Sequence, residues 1–215
     1  MTVRCGARAA VALAAGLLFT SSASAGDFRF ANEVISFNAG MGGANGYDNP
    51  LVTLGSPERY TGEGIFPGVV SPFNPAWETN EILSLGAGGH ITVRFDAPIV
   101  DSPNNPYGID FIIFSNTGFI DDNFPQGIVG GLFGDDGGII EVSANGVDWV
   151  EVSGMTANAL FPTMGYLDSG PYDDTAGSIE TDFTRPLNPA LTMSDFLGQD
   201  YDGVRALYDG SGGGT

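Results

Sequence analysis

Lysine is missing from the 215 residues, and the seven cations are all arginine, set against 26 Asp and Glu for a formal net charge of −19. So few cations leave no basic stripe to displace counterions from a phosphate backbone or to hold an anionic bilayer, which excludes nucleic acid and anionic lipid as partners. Histidine occurs once, as His90. A Ser-His-Asp triad would have to use it, yet its place in an alternating segment turns it outward, and no G-x-S-x-G elbow accompanies it. Cysteine also occurs once, as Cys5, so no intrachain disulfide, Cys-based zinc site or thiol catalysis is available to the body of the chain. Long apolar runs are lacking as well. The nine residues 11–19 (VALAAGLLF) fall short of the roughly 20 that a membrane-spanning helix needs.

What is present begins with that apolar run. Arg4 and Arg8 precede it, no acid does, and residues 21–25 (SSASA) follow with small-x-small chemistry. This order predicts a secretory signal peptide over residues 1–25. Cys5 lies ahead of the apolar run, where a lipid-modified cysteine would follow it. Cleavage after Ala25 leaves residues 26–215 with all 26 acids and five arginines, in a secreted or cell-surface setting. A composition of 42% hydrophobic and 11% aromatic residues gives this chain the means to bury a core, which disordered chains lack.

Glycine (33) and proline (13) divide the remainder into short segments. Residues 28–37 frame a strand-like stretch, and Ile91, Val93 and Phe95 alternate with His90, Thr92 and Arg94 as in a half-buried strand. Residues 109–114 (IDFIIF) are apolar on both faces and predict a central strand covered on both sides. Residues 139–143 and 147–152 flank Asn145-Gly146, a hairpin signal. A two-residue loop there would set Ile140 against Glu151, a poor pair, so a bulge or a longer turn is expected. Helix is indicated only over residues 191–197 and 202–208, the latter with Val204, Leu207 and Tyr208 on one face. The glycines of residues 211–215 (SGGGT) read as a frayed tail or a truncation. The pattern predicts an all-β fold, an antiparallel β-sandwich of jelly-roll type with long Gly/Pro-rich loops, in a single domain over residues 26–215.

Residues 47–57 (YDNPLVTLGSP), 85–98 (LGAGGHITVRFDAP) and 99–119 (IVDSPNNPYGIDFIIFSNTGF) stand together, with 142–149 (VSANGVDW) and 206–215 (ALYDGSGGGT) extending the pattern. Together they resemble a family of secreted bacterial surface proteins, many sorted by a C-terminal PEP-CTERM anchor, whose domain is similar to galactose-binding-like and discoidin-like β-sandwiches. The resemblance implies that fold and a surface location. It implies no activity, since most members have none assigned. Family members usually continue past the SGGGT motif, and no terminal hydrophobic helix or basic cluster follows it here.

Acidic pairs in loop-like sequence suggest calcium, which takes six to eight oxygen ligands from carboxylates, amides and carbonyls. Asp121, Asp122, Asp135 and Asp136 are the leading set, although no EF-hand loop matches, and a solvated acidic surface is the plainer alternative. Trp77, Tyr60 and Tyr107, in Gly/Asn/Pro-rich connections, suggest ligand binding by stacking against sugar rings; the plainer alternative is that they pin loops. Trp149 reads as core, Asp110 as a group making loop hydrogen bonds with Asn116 or nearby backbone, and Arg94, Arg185 and Arg205 as ion-pair partners. With no catalytic set in view, the expected function is a non-catalytic module binding an extracellular glycan or matrix polymer, with calcium as a candidate stabiliser. A purely structural surface protein and a polysaccharide-degrading enzyme with paired carboxylates, Glu141 and Glu151 first among them, remain the alternatives.

Overall fold

The computed structural model describes residues 2–6, 29–62, 68–134, 137–154 and 161–215, with main chain only at 4–6. The apolar run and cleavage site of the predicted leader, and Asp135 and Asp136, lie outside the described residues. The fold is predominantly β, in antiparallel sheets with two short helices. The chain divides into two compact units.

The first unit comprises Met1–Gly55, Leu83–Pro98 and Gly138–Met155. It is built on one sheet of strands β1 (Thr2–Gly6), β2 (Glu33–Asn38), β3 (His90–Arg94), β6 (Ile139–Ser143) and β7 (Val150–Glu151), in the order β2-β3-β1-β6-β7. Every neighbouring pair is antiparallel. β3 forms where the alternation places it, with β-branched residues suited to a pleated surface. Its register sets Val93 beside Val3 and Ile91 beside Phe37. Val3, in turn, lies beside Val142. Period-two geometry therefore gathers these apolar side chains on one face. Ile140 is wholly buried.

The hairpin turn is longer than two residues. Val142 pairs with Val150 and Glu141 with Glu151, leaving residues 144–149 as the loop. Asn145 organises it: its side-chain oxygen accepts from the N–H groups of Val147 and Asp148, both at 2.9 Å. Gly146, at φ 73°, takes the left-handed position.

The second unit comprises Ser56–Ile82, Ile99–Gly137 and Thr156–Thr215. Its regular elements are the pair β4 (Gly118–Asp121) and β5 (Val129–Phe133) and the helices α1 (Met193–Phe196) and α2 (Tyr201–Tyr208). Thr192 and Asp195 form a reciprocal capping box on α1, and the Asp200 carboxylate accepts from Gly203 N–H at the start of α2. α2 buries Val204 and Tyr208 as its spacing predicts, with Tyr201 one turn earlier. These join Phe73, Phe119, Val129, Phe161, Met164, Leu187 and Phe196 in an aromatic core. Phe196 sits at its centre, with ring centroids 5.2 Å from Phe119, 5.7 Å from Phe161 and 6.1 Å from Tyr208.

Two segments depart from the expected pattern. Residues 109–114 form no strand: they are irregular, with Asp110 exposed and the other five half-buried. Ile113 exchanges both main-chain hydrogen bonds with Thr215, at 2.8 and 2.9 Å. Apolar side chains on both faces are thus satisfied by irregular packing rather than by a sheet interior. Residues 211–215 are not a frayed tail. Ser211, Gly212, Gly213 and Gly214 are buried. Gly212 N–H donates to Asp182, Gly214 N–H to Phe161, and the Ser211 hydroxyl to the Arg185 carbonyl. Glycine is required there by space as well as by conformation. A Cβ at Gly213 (φ 93°) would lie 2.3 Å from the Pro162 oxygen, and one at Gly214 (φ 84°) 2.5 Å from the Ile112 side chain.

Candidate functional site

Among the described residues only Tyr107 and Asp209 combine a side chain with positive φ, at 58° and 48°. Both line the same groove of about 230 Å³ in the second unit, together with Arg185, Asn188, Leu191 and Leu207. Asp209 is there because α2 ends in a left-handed residue, its N–H returning to the Arg205 carbonyl. Tyr107 is the more unusual, since a bulky residue in this region is an outlier that its surroundings must enforce. It lies in a 3-10 turn, Pro106–Gly108. The Gly108 and Ile109 N–H groups close that turn onto the carbonyls of Asn105 and Pro106. Asp110 fastens the loop from behind, accepting from the Asn105 amide at 2.8 Å and from Ser102 N–H at 3.3 Å. Asp110 is therefore a loop-fastening group as expected, with Asn105 and Ser102 as donors. Asn116 donates elsewhere, to the Ala76 carbonyl.

The result is a tyrosine held 59% exposed in the lining of a groove that also carries an ion pair between Arg185 and Asp209. Both charged groups are largely solvated, so the pair contributes little to stability and remains available to a ligand. The Asn188 side-chain oxygen accepts from Ala190 N–H. Leu191 and Leu207 contribute apolar lining. Such a groove can stack an apolar face against Tyr107 while offering one cationic donor and two oxygen acceptors to hydroxyl groups.

The other aromatics lie elsewhere in the same unit. Trp77 and Tyr60 belong to neighbouring stretches, since Trp77 N–H donates to the Thr61 carbonyl. The Trp77 indole lies parallel to Phe133, 6.2 Å between centroids and 6° between planes, and its Nε1–H donates to Asn74. One face of the indole is thereby covered and the ring anchored, which matches loop pinning. Tyr60 is exposed beside a bridge to Val69. Neither lines the groove at Tyr107. In the first unit Trp149 is half-buried and lines a separate groove of about 320 Å³ with Thr2, Ile35 and Arg94.

Asp121 has its carboxylate already engaged. Oδ1 accepts from Asn123 and Ile128 N–H, and Oδ2 from Gly127 N–H and the Tyr172 hydroxyl, at 2.9–3.1 Å. Burial alone would raise this carboxyl; the donors outweigh it and hold it below the usual carboxylate range. Four donors fill the roughly four lone-pair positions of a carboxylate, so this group closes the 121–128 loop instead of facing a cation. Asp122 lies over Gly130, whose Cβ would meet its carboxylate at 2.0 Å. Among the described residues no group of three or more His, Cys, Asp or Glu is arranged to hold a metal ion.

Glu141 and Glu151 do face each other, contrary to the opposite-face placement of a tight turn, but at the exposed outer strand of the sheet. The three arginines pair as expected: Arg94 with Glu33, Arg185 with Asp209 and Arg205 with Asp202. Sequence alone flagged Tyr107 and Arg185 separately but not their meeting at one groove. The available signal was Asp209-Gly210 directly after a helical stretch, which marks a left-handed helix end. Among the described residues no helix is long and apolar enough to cross a membrane. Comparison with protein-family models, curated proteins and solved structures finds no match to this chain.

Proposed function

We propose that this chain is a non-catalytic extracellular or cell-surface module that binds a glycan or matrix polymer, and that the groove beside Tyr107 is its contact surface. The observation that carries the reading is the meeting, at one groove, of an exposed aromatic ring on enforced left-handed backbone and a solvated Arg185–Asp209 pair. A pyranose presents an apolar C–H face and a rim of hydroxyls that both donate and accept, so it needs a stacking ring flanked by donors and acceptors together. Backbone strain of about 1–3 kcal/mol at such a residue is retained where the surrounding structure over-determines it, commonly at ligand sites. Export follows from the leader read over residues 1–25.

The test is a glycan array followed by titration of the exported protein. Tyr107→Ala and Arg185→Ala should each weaken binding about tenfold or more, the equivalent of about 1.4 kcal/mol, with the melting temperature unchanged. Trp77→Ala should leave affinity intact, since that indole is spent on Phe133. Binding that survives Tyr107→Ala but is lost with Trp77→Ala would move the site, and failure to bind any glycan would end the proposal.

A further inference from the structure

We propose that the space filled by β1 is a strand-acceptor slot, which in the exported form takes an extended segment of a partner polypeptide bearing apolar residues at alternate positions. This rests on the reading of residues 1–25 as a leader removed on export.

β1 is not an edge strand. Thr2–Gly6 lies between β3 and β6 and pairs antiparallel with both along all five residues. Its removal strips β3 and β6 of partners along their facing edges while each stays paired on its other side, β3 with β2 and β6 with β7. The gap left is two inter-strand spacings wide, about 10 Å. Its walls are rows of unpaired N–H and C=O groups, a template for another strand.

The slot cannot close on itself cheaply. β3 and β6 both oppose β1, so they run parallel to each other. Joining them directly would replace two antiparallel ladders with one parallel ladder and carry β2 or β7 along by a full strand spacing. An incoming strand restores both ladders with neither wall displaced, the mode by which an extended peptide completes a sheet.

The register also says what the strand carries. Val3, 8% exposed, sits opposite Val93 and Val142, and position 5 sits opposite Ile91 and Ile140. Those two positions call for apolar side chains. The position between them lies opposite Thr92 and Glu141, where a polar or cationic residue fits and an acid does not. Thr2, itself buried, faces Arg94 and Ser143 and calls for a small polar residue.

The probe is a synthetic peptide of residues 1–6 with Cys5→Ala, added to exported protein whose N-terminus has been sequenced. With processing confirmed at residue 26, the peptide should bind one-to-one and, at 100 times its dissociation constant, raise the melting temperature by about 5–10 °C. The same peptide with Val3→Asp should not bind, and unprocessed full-length chain, its slot filled, should bind neither. Processed protein that ignores the peptide, or full-length chain that takes it equally well, overturns the slot and leaves glycan binding untouched. An exported protein that retains residues 1–25 overturns the slot together with the leader reading. Assembly of processed protein into strand-exchanged oligomers that the peptide dissolves would support the slot and identify a second copy as the donor.

Discussion

The two units stabilise their backbones by different means. In the first, the N–H and C=O groups find partners along sheet ladders, and the apolar residues fall on one face by period two. In the second, β4 and β5 supply the one strand pair among the described residues, and the remaining main chain is held by loop-to-loop main-chain hydrogen bonds, with carboxylates and hydroxyls fastening many of its turns. Asp121 gathers the loop that follows it, and Asp168 accepts from Ser178 and Ile179 N–H and from the Ser178 hydroxyl at 2.7–2.9 Å. Asp173 likewise takes Gly170 N–H. The contrast explains how an acidic chain can be rich in loops without being loose: in the second unit many acids serve as loop fasteners. Regular ladders need pattern, whereas fastened loops need particular residues at particular points.

Three measurements put this contrast to the test. Core truncation should have the largest effect. Phe196→Ala removes the ring at the centre of the aromatic core and should cost about 4 kcal/mol, against about 3 kcal/mol for Ile140→Ala in the first unit, as read by denaturant unfolding. Equal small losses at both would mean that neither side chain is packed as described. Next come the glycines. Gly213→Ala meets both positive φ and a main-chain oxygen and should cost more than about 2 kcal/mol, while Gly146→Ala, at positive φ but in open space, should cost about 1 kcal/mol. A tolerant Gly213 would show that residues 211–215 are not threaded through the second unit.

The smallest effect is a response to acid. The Ser178 hydroxyl, aided by Ile179 and Ser178 N–H, holds the Asp168 carboxyl down at about 2, below the ordinary carboxylate value of about 3.9. Because the folded value is depressed, the stabilisation is complete above pH about 4 and is lost as pH falls through about 2. Amide exchange at Ser178 and Ile179 should therefore accelerate over that window while Ile91 and Thr92, in their ladder, stay protected. Ser178→Ala should move the carbon-detected titration of Asp168 upward. An unmoved titration would remove Asp168 as a fastener.

What could be read in advance follows the same division. β3, β6 and α2 were legible because their side chains repeat at the period of the element they form. The long hairpin turn was foreshadowed by the poor Ile140–Glu151 pairing. The IDFIIF segment misled because an apolar run carries no record of its partner, and Ile113 finds its own about 100 residues later, at Thr215. The SGGGT glycines misled for a related reason: absent side chains suggest freedom, whereas here they make room in a crowded passage. The groove was half legible. Tyr107 stood out in its loop, but only folding brings residues 185–191 and 206–209 beside it. Asp121 carries the charge of a cation ligand, but the groups around its carboxylate are donors.

The left-handed backbone at Tyr107 and Asp209 has an evolutionary corollary. Glycine or asparagine would sit more comfortably at either position, so a variant library sorted for heat resistance alone should drift toward them and erase the groove among its first gains. Heat-hardened descendants that keep both side chains would be recording a selective pressure that thermal survival does not supply.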